Sequence, residues 1–370
     1  MGAPGTPMCW PAAWADPSML RLVKGTAIDT LLVDNSDELE TLREAAKQQG
    51  LRVVHPDLPP DGVTVIKGEW PGVKLSRRGA DAEAGPTGVP WVDSNGWQVR
   101  LTKALHPGNA VWVTAEPPKD RVRSSLAYVS AVADTAAYGG RWIVTLDNAL
   151  ASDLGQGKDG AATTWKTITD ACGFFARHAE WDGWEPAALV GVISDFAGDN
   201  DFFSKELLNL LARAGLHFVV WPKDRVPQIA GVRAVIYADA QPPSTELRGR
   251  MQAFQKRGGL VIHGQGDPYE VAQDAAVKIS HRYDLVRFWN AGAVGSYVAK
   301  SPDGKRAAAH LLFYTDWKLD EASVRVAGRY REVTASMVNG PVRAETLRQA
   351  DGVEVHLPQV AQYVALELTV

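Results

Sequence analysis

The feature that most constrains this chain is a change of rhythm along its length. Up to about residue 280, apolar strand-like runs alternate with helix-like segments. Beyond Arg282 the helix signals fade and only short strands remain, separated by turn residues. Strands spaced by helices read as βαβ units around a mainly parallel sheet, whereas closely spaced short strands read as an antiparallel pair of sheets.

Within the first part, Ile28–Asp34, Leu51–His55, Val63–Lys67, Asn109–Ala115 and Arg141–Leu146 are apolar, β-type runs. Asn35 is placed to cap a helix, with Glu38 three residues on, Leu39 and Leu42 on one face and Gly50 at its end. A second helical stretch surrounds Ser124–Tyr138. Residues 71–97 interrupt the alternation with Gly, Pro and charge, and a loop this long in a compact domain is usually functional or mobile. Trp91 and Trp97 argue that part of it packs.

A new alternation starts after Trp184-Glu185-Pro186. Ala188–Ser194, His217–Trp221, Arg233–Tyr237 and Leu260–His263 are its strands, and Asp201–Arg213 and Ser244–Lys256 its helices. That pattern predicts a flavodoxin-like α/β unit. Leu285–Asn290, Gly295–Lys300, Ala307–Tyr314, Ser323–Ala327, Glu332–Val338, Gly352–Leu357 and Tyr363–Leu368 then predict an antiparallel β-sandwich. Ser301-Pro302-Asp303-Gly304 is a hairpin turn between two of them.

Composition excludes several classes. With 370 residues, 45% of them apolar, the chain can bury two or three cores and is not disordered. Its 39 Lys+Arg against 43 Asp+Glu leave no positive excess to release counterions from nucleic acid. No apolar run reaches the ~18–20 residues of a membrane helix, so a soluble protein with no membrane partner is expected. Two cysteines, Cys9 and Cys172, cannot form a disulfide framework or a four-cysteine zinc site, though one bridge stays open. The amino terminus lacks signal-peptide regions and matches the loose myristoylation pattern at Gly2 and Thr6, which is short enough to occur by chance. A start codon placed on a mature chain is the preferred reading, leaving a cytoplasmic protein or one exported with its signal peptide removed.

The candidate chemistry lies where ligands sit in parallel α/β folds, beyond the carboxyl ends of the strands. Glu69, Glu116 and Asp147 follow strands there, Asp93 lies in the irregular loop beside Trp91 and Asn95, and Asp195 ends the first strand of the second unit. The plain alternative for any one of them is that it caps the next helix. Ten of the thirteen tryptophans fall in the first half. An indole offers a flat apolar face suited to a sugar ring; Trp112 and Trp142 inside strands fill core, while Trp70 and Trp91 adjoin acids in loops. Carboxylates beside indoles suit glycoside hydrolysis, where a buried acid protonates the leaving oxygen and a second, kept ionised by an Arg such as Arg77, Arg78 or Arg100, works opposite. Other chemistries lack their signatures. There is no Gly-x-Ser-x-Gly elbow or P-loop, the eight histidines are scattered with no zinc spacing, and Gly264-Gln265-Gly266 fails the dinucleotide pattern at Tyr269. No cofactor and no metal are expected.

The domain order, with ALVGVISDFAGDNDFFSKELLNLLARAGLHFVVWPKD in the middle and VRFWNAGAVGSYVAKSPDGKRAAAHLLFYTDW through VHLPQVAQYVALEL at the end, resembles the multi-domain microbial β-galactosidases that carry a trimerisation domain. WPGVKLSRRGADAEAGPTGVPWVDSNGW is similar to segments of bacterial glycosidase-like proteins. The resemblance implies an α/β fold in three parts: a short or incomplete (β/α) barrel-like domain at 1–185, a flavodoxin-like, trimerisation-like domain at 186–282, and a C-terminal antiparallel β-sandwich at 283–370. A full barrel takes about 250 residues, so the first domain is incomplete, borrows strands from the second unit, or is not a barrel. The Asn-Glu acid/base pair of classical barrel glycosidases has no match here; Ala115-Glu116-Pro117 is a faint echo.

The resemblance thus implies a glycoside hydrolase, an exo-acting β-galactosidase-like enzyme on a carbohydrate substrate, assembled as a homo-oligomer. Glu69, Asp93, Glu116 and Asp147 form the pool for acid/base and nucleophile, and Trp70, Trp91, Asn95 and Asp195 the sugar contacts. The alternative is a carbohydrate-binding or assembly protein that kept the layout and lost the chemistry; flavin binding by the middle unit ranks third.

Overall fold

A computed structural model describes residues 5–73, 75–78, 81–84, 91–118, 122–315 and 319–370. The chain is mixed α/β. Its first part lays down strands β1 (Thr6–Cys9), β2 (Ile28–Leu32), β3 (Arg52–Val54) and β4 (Val63–Lys67), with helix α1 (Glu40–Gln48) between β2 and β3. Short antiparallel pairs come next: β5 (Gly72–Val73) with β8 (Val92–Asp93), and β6 (Leu75–Arg78) with β7 (Asp81–Ala84). Then come α2 (Gly96–Leu105), β9 (Ala110–Thr114), α3 (Ser125–Ala136), β10 (Arg141–Trp142), α4 (Asn148–Gly155) and α5 (Asp159–Arg177).

β1, β2 and β3 form one parallel sheet and β10, β9 and β4 another. A parallel bridge between Met8 and Val144 joins them, with Cys9 N–H donating to the Val144 carbonyl and Val144 N–H to that of Pro7, both at 2.9 Å. The strands therefore run β3-β2-β1-β10-β9-β4, which is sequence order taken round a ring and opened between β3 and β4. No described residues pair those two strands, so the ring does not close by hydrogen bonds. All six strands still enclose one interior: Leu32, Trp112 and Ile143 are buried there, with Cys9, Val54, Val63 and Val65 packed against them. Trp112 is 1% exposed, and its indole fills the middle where a longer barrel would layer several side chains.

The second part begins with β11 (Glu185–Pro186) and continues through β12 (Val190–Ser194), α6 (Asp201–Arg213), β13 (Phe218–Pro222), β14 (Ala234–Tyr237), α7 (Thr245–Lys256), β15 (Leu260–His263) and α8 (Pro268–Ile279). The four strands β13-β12-β14-β15 are all parallel. α6 and α8 cover one face and α7 the other, each through its own apolar cluster. This unit keeps its own sheet and lends no strand to the first.

The last part holds β16 (Val286–Trp289), β17 (Val294–Lys300), β18 (Arg306–Phe313), β19 (Leu319–Ala327), β20 (Glu332–Met337), β21 (Gly340–Val342), β22 (Glu345–Arg348), β23 (Gly352–Val360) and β24 (Tyr363–Thr369). One sheet runs β11-β17-β18-β24-β20-β21 and the other β16-β19-β23-β22, with every pairing antiparallel. The expected turn at Ser301–Gly304 links β17 to β18, closed by the Gly304 N–H on the Ser301 carbonyl at 2.8 Å. Alternation along a strand sends neighbours to opposite faces. Ala307, Ala309, Leu311 and Phe313 meet the four-stranded sheet. Ala308 and Leu312, with Tyr363 and Ala365 of β24, instead join the apolar cluster of the first part, where Tyr363 packs on Phe174 and Phe175 of α5. The six-stranded sheet is thus buried on both faces.

Several expectations need correction. Ser36, not Asn35, is the cap residue, and it leads into a short 3-10 turn, Asp37–Leu39, ahead of α1. The segment 71–97 is not all loop: it carries β5 to β8, and Trp97 belongs to α2, while residues 74, 79–80 and 85–90 lie outside the described ones. Helices α4, α5 and α8 and strand β1 carried no recognised sequence signal. Cys9 and Cys172 are both free thiols. Among the described residues no helix is long and apolar enough to cross a membrane.

Because Trp112 is the largest side chain buried in the interior of the six-stranded ring, Trp112→Ala should lower the unfolding free energy by about 3–5 kcal/mol in urea denaturation. Trp112→Phe should cost less than half of that, since its ring refills most of the space and the buried indole N–H has no partner to lose.

Candidate functional site

All six strands of the ring point their carboxyl ends the same way, and the segments that leave those ends gather on one face. β1 leads into Cys9 and Trp10, β2 into Asp34, β4 into Gly68-Glu69-Trp70, β9 into Glu116, and β10 into Asp147. The backbone at the end of β4 is fixed from inside the protein. Asn95, fully buried at the start of α2, accepts the Glu69 N–H at 2.8 Å and donates its amide to the Glu69 carbonyl at 2.9 Å. Only glycine serves at position 68, since a Cβ there would lie 2.4 Å from a Val113 methyl and 2.5 Å from Asn95 Oδ1.

Asn95 is held in turn by Asp134 on α3, a fully buried carboxylate. Its Oδ2 accepts the Asn95 N–H at 2.7 Å and the Asn95 amide at 3.0 Å, and its Oδ1 accepts the Tyr314 hydroxyl at 2.6 Å. Burial pushes the Asp134 carboxyl up to about 6, against the opposing pull of those hydrogen bonds and of the Arg100 charge. Asn95 is therefore not placed as a sugar contact: every polar atom of its side chain is engaged inside the fold.

The next residue out is Trp70. Its indole N–H donates to the Glu116 carbonyl at 3.0 Å, tying the ends of β4 and β9 together. Its ring meets Tyr128 and Trp142 edge-on at 5.1 and 5.2 Å, and the Arg123 guanidinium lies 4.8 Å from its centroid. Asp147 supports this cluster from behind. It caps α4 through Oδ1 on the Leu150 N–H at 2.9 Å, while Oδ2 accepts the Tyr128 hydroxyl at 3.2 Å and the Arg123 N–H at 3.3 Å. Both oxygens of Asp147 are engaged and it is 4% exposed, which makes it a positioning group.

Glu69 and Glu116 are exposed, and no described residue donates a hydrogen bond to either carboxylate. Burial, then the charges of Glu116 and Asp34, push the Cys9 thiol up to about 11. The structure thus brings Glu69, Trp70, Glu116 and Asp147 to one face and adds Asp34, Arg123 and Tyr128, which were not singled out from the sequence. Asp34 ends an expected strand and could have been found by the same rule as Glu116; Arg123 and Tyr128 gave no local signal.

The other expected site residues lie elsewhere. Arg213 of α6 stacks 3.3 Å over the Trp91 ring and approaches Asp93 at 3.5 Å, so Trp91 and Asp93 tie the first part to the second. Asp195 sits at the end of β12, where it pairs with Lys223 at 3.0 Å and holds Asn200 at 2.8 Å; Lys223 also reaches the buried Asp239 at 2.8 Å. These partners all belong to the second unit. Arg100 is stacked on Phe218 rather than set beside a candidate acid, and the side chains of Arg77 and Arg78 lie outside the described ones. Among the described residues no group of three or more His, Cys, Asp or Glu could hold a metal ion. None of Glu69, Glu116 and Asp147 lines the cavities of about 470, 440 and 300 Å³ found elsewhere in the fold.

A carboxyl raised from 3.8 to about 6 binds more protons in the folded than in the unfolded chain between those values. Stability attributable to Asp134 is therefore greatest in acid and falls as pH rises from about 4 to 6, by on the order of 3 kcal/mol, then stays level. Asp134→Asn keeps an acceptor for Asn95 and lets the Tyr314 hydroxyl accept instead. It should remove that slope from denaturation curves measured across the same pH range.

No protein-family model matches the chain, and no curated protein matches it. Among solved structures it is similar to α-L-fucosidase isoenzyme 2 from Paenibacillus thiaminolyticus, with a TM-score of 0.51, 9% identity and 95% of each chain covered. It is also similar to a polyextremophilic β-galactosidase from Halorubrum lacusprofundi (TM-score 0.42, 13% identity, 92% of this chain and 63% of that one). A β-galactosidase from Bacillus circulans sp. alkalophilus gives a TM-score of 0.44 at 9% identity over 90% of this chain and 66% of that one. The chain spans less than two thirds of both galactosidases. The likeness to the fucosidase, at 9% identity, shows a shared glycosidase-like fold and says nothing of activity.

Proposed function

We propose that this chain is a glycoside hydrolase whose site is the strand-end face of the first part. The observation that supports it is that Trp70, next to the exposed Glu69 in sequence, donates its indole N–H to the backbone carbonyl of the exposed Glu116. On this reading Glu69 and Glu116 are the acid/base and the nucleophile or base, and the Trp70 cluster orders the sugar ring. Asp147 and Tyr128 position Arg123 and Trp70, and Asp34 modulates the pair. On this reading Asp93 leaves the catalytic pool because it is engaged with Arg213, Asp147 leaves it because both of its oxygens are engaged, and Asn95 leaves the sugar contacts because it is buried. An exo-acting β-galactosidase-like specificity is the finer form of the proposal, and it rests on the sequence resemblance.

The same proposal divides the chain at 185/186 and 282/283 into a short barrel-like domain, a flavodoxin-like domain and a β-sandwich. Separate apolar clusters support the second and third units. Association through the flavodoxin-like unit is supported by Phe202 on α6 and Tyr269 and Val277 on α8, which are large apolar side chains left exposed.

A panel of nitrophenyl glycosides that includes β-galactoside and α-L-fucoside tests the activity. Turnover of at least one sugar is expected, with Glu116→Gln and Glu69→Gln each lowering kcat by about 10²–10⁴. The anomer released reports the carboxylate separation, about 5–5.5 Å for retention and 6.5–9.5 Å for inversion. Cleavage of no panel sugar, or full activity in both variants, would sink the enzyme reading. A binding protein without chemistry is the second reading, favoured by the structural engagement of Asp93 and Asp147. Heat on sugar titration with no product formed would support it.

A further inference from the structure

Between α2, the linker around β11, the edge strand β13 and β17 lies an open cavity of about 300 Å³. Its walls include the buried rings of Tyr138, Trp184, Phe218 and Tyr297, and its basic groups are Arg100 and Lys103. The Arg100 guanidinium lies 3.6 Å from the centre of the Phe218 ring and 5.0 Å from that of Tyr138. It donates only to carbonyls, Gly96 at 3.2 Å and Phe218 at 3.5 Å. Among the described residues no carboxylate forms an ion pair with it. Lys103 Nζ donates to the main-chain carbonyl of Asp182 at 3.0 Å, and glycine at 139 leaves room for it, since a Cβ there would lie 2.4 Å from that nitrogen.

The acid on the wall is Asp182, and it is already neutralised: Arg141 takes both of its oxygens, at 3.1 and 2.6 Å. Asp134, the other carboxylate whose field reaches Arg100, is engaged by Asn95 and Tyr314 and does not line the space. The cavity therefore carries two cations in excess inside an aromatic shell. Both cations are only part-buried and neither has a carboxylate bound directly to it among the described residues, so an anion that enters would meet them through charge-assisted hydrogen bonds.

We propose that this junction binds a small organic anion, a carboxylate on an aromatic or similarly flat apolar body. The carboxylate meets Arg100 and Lys103 and the body lies among the rings. The volume sits at the lower end of ligand sites, about 300–1,000 Å³, and suits a molecule with a single ring. A neutral sugar would leave both cations unpaired, so the site is separate from the glycosidase reading and does not depend on it. Because its walls come from all three parts of the chain, the ligand would hold them together against unfolding.

The test uses phenylacetate and its neutral isostere phenylacetamide, titrated into the full chain by calorimetry and followed by thermal unfolding. Phenylacetate should bind and raise Tm, with the amide at least tenfold weaker. Lys103→Met should weaken phenylacetate at least tenfold, and Ala104→Phe, which keeps both cations and fills the space, should abolish binding. Equal affinity for acid and amide, no binding of phenylacetate, or undiminished binding in either variant overturns the proposal.

Discussion

One buried carboxylate links the parts of this protein that matter to its strand-end face. Asp134 fixes Asn95 and accepts the hydroxyl of Tyr314, just past β18 in the last part of the chain. Asn95 then holds the backbone of Glu69 by both of its polar groups. A residue 180 positions away in sequence from Tyr314 thereby sets the shape of the lip on which Glu69 and Trp70 stand. A buried charge accepting three hydrogen bonds from two fixed partners is specific as well as costly, because any other packing would leave it unpaired.

The same dependence shows in the packing. An open six-stranded ring with one indole in its middle has little interior of its own, so its helices must find apolar surface outside. α3 and α5 find it on the back of the six-stranded antiparallel sheet, whose strands are apolar on both faces. The first part is completed by a β-sheet laid against its helices. Glu185 and Pro186 make the connection covalently close, since the linker itself joins that sheet as β11.

How much of this was legible in the sequence depended on how local each signal was. In the second unit, Asp201–Arg213 is a helix as expected, and the helix expected over Ser244–Lys256 runs Thr245–Lys256 with Ser244 as its cap, because amphipathic spacing is a property of neighbouring residues. β1 was not legible. Pro7 lies inside it, and its missing N–H is accommodated where the register slips between Thr6 and Pro7. α5 was hidden by its threonines and glycines, all poor helix formers, and it is held by the burial of Trp165, Ile168, Phe174 and Phe175. Asn95 beside Trp91 and Asp93 looked like a ligand contact because burial cannot be read from three residues in a loop. The Arg213–Trp91 stack joins positions far apart in sequence, and no periodicity announces such a pair.

Strand-end acids in this chain share a location and differ in environment, and the environment assigns their work. Asp147 begins a helix, so the Leu150 N–H of the first turn claims one oxygen, Tyr128 and Arg123 claim the other, and its charge offsets the helix end. Asp93 sits on a short antiparallel pair against another unit, so a cation from that unit meets it. Glu69 and Glu116 are followed by Trp70 and by Pro117, neither of which opens a helix at once, and their carboxylates stay exposed with no described donor. An acid that the backbone does not claim is the one left available to a ligand. That criterion sets Glu69, Glu116 and Asp34 apart from Asp147 and Asp93, and Trp70 connects the backbones of the first two.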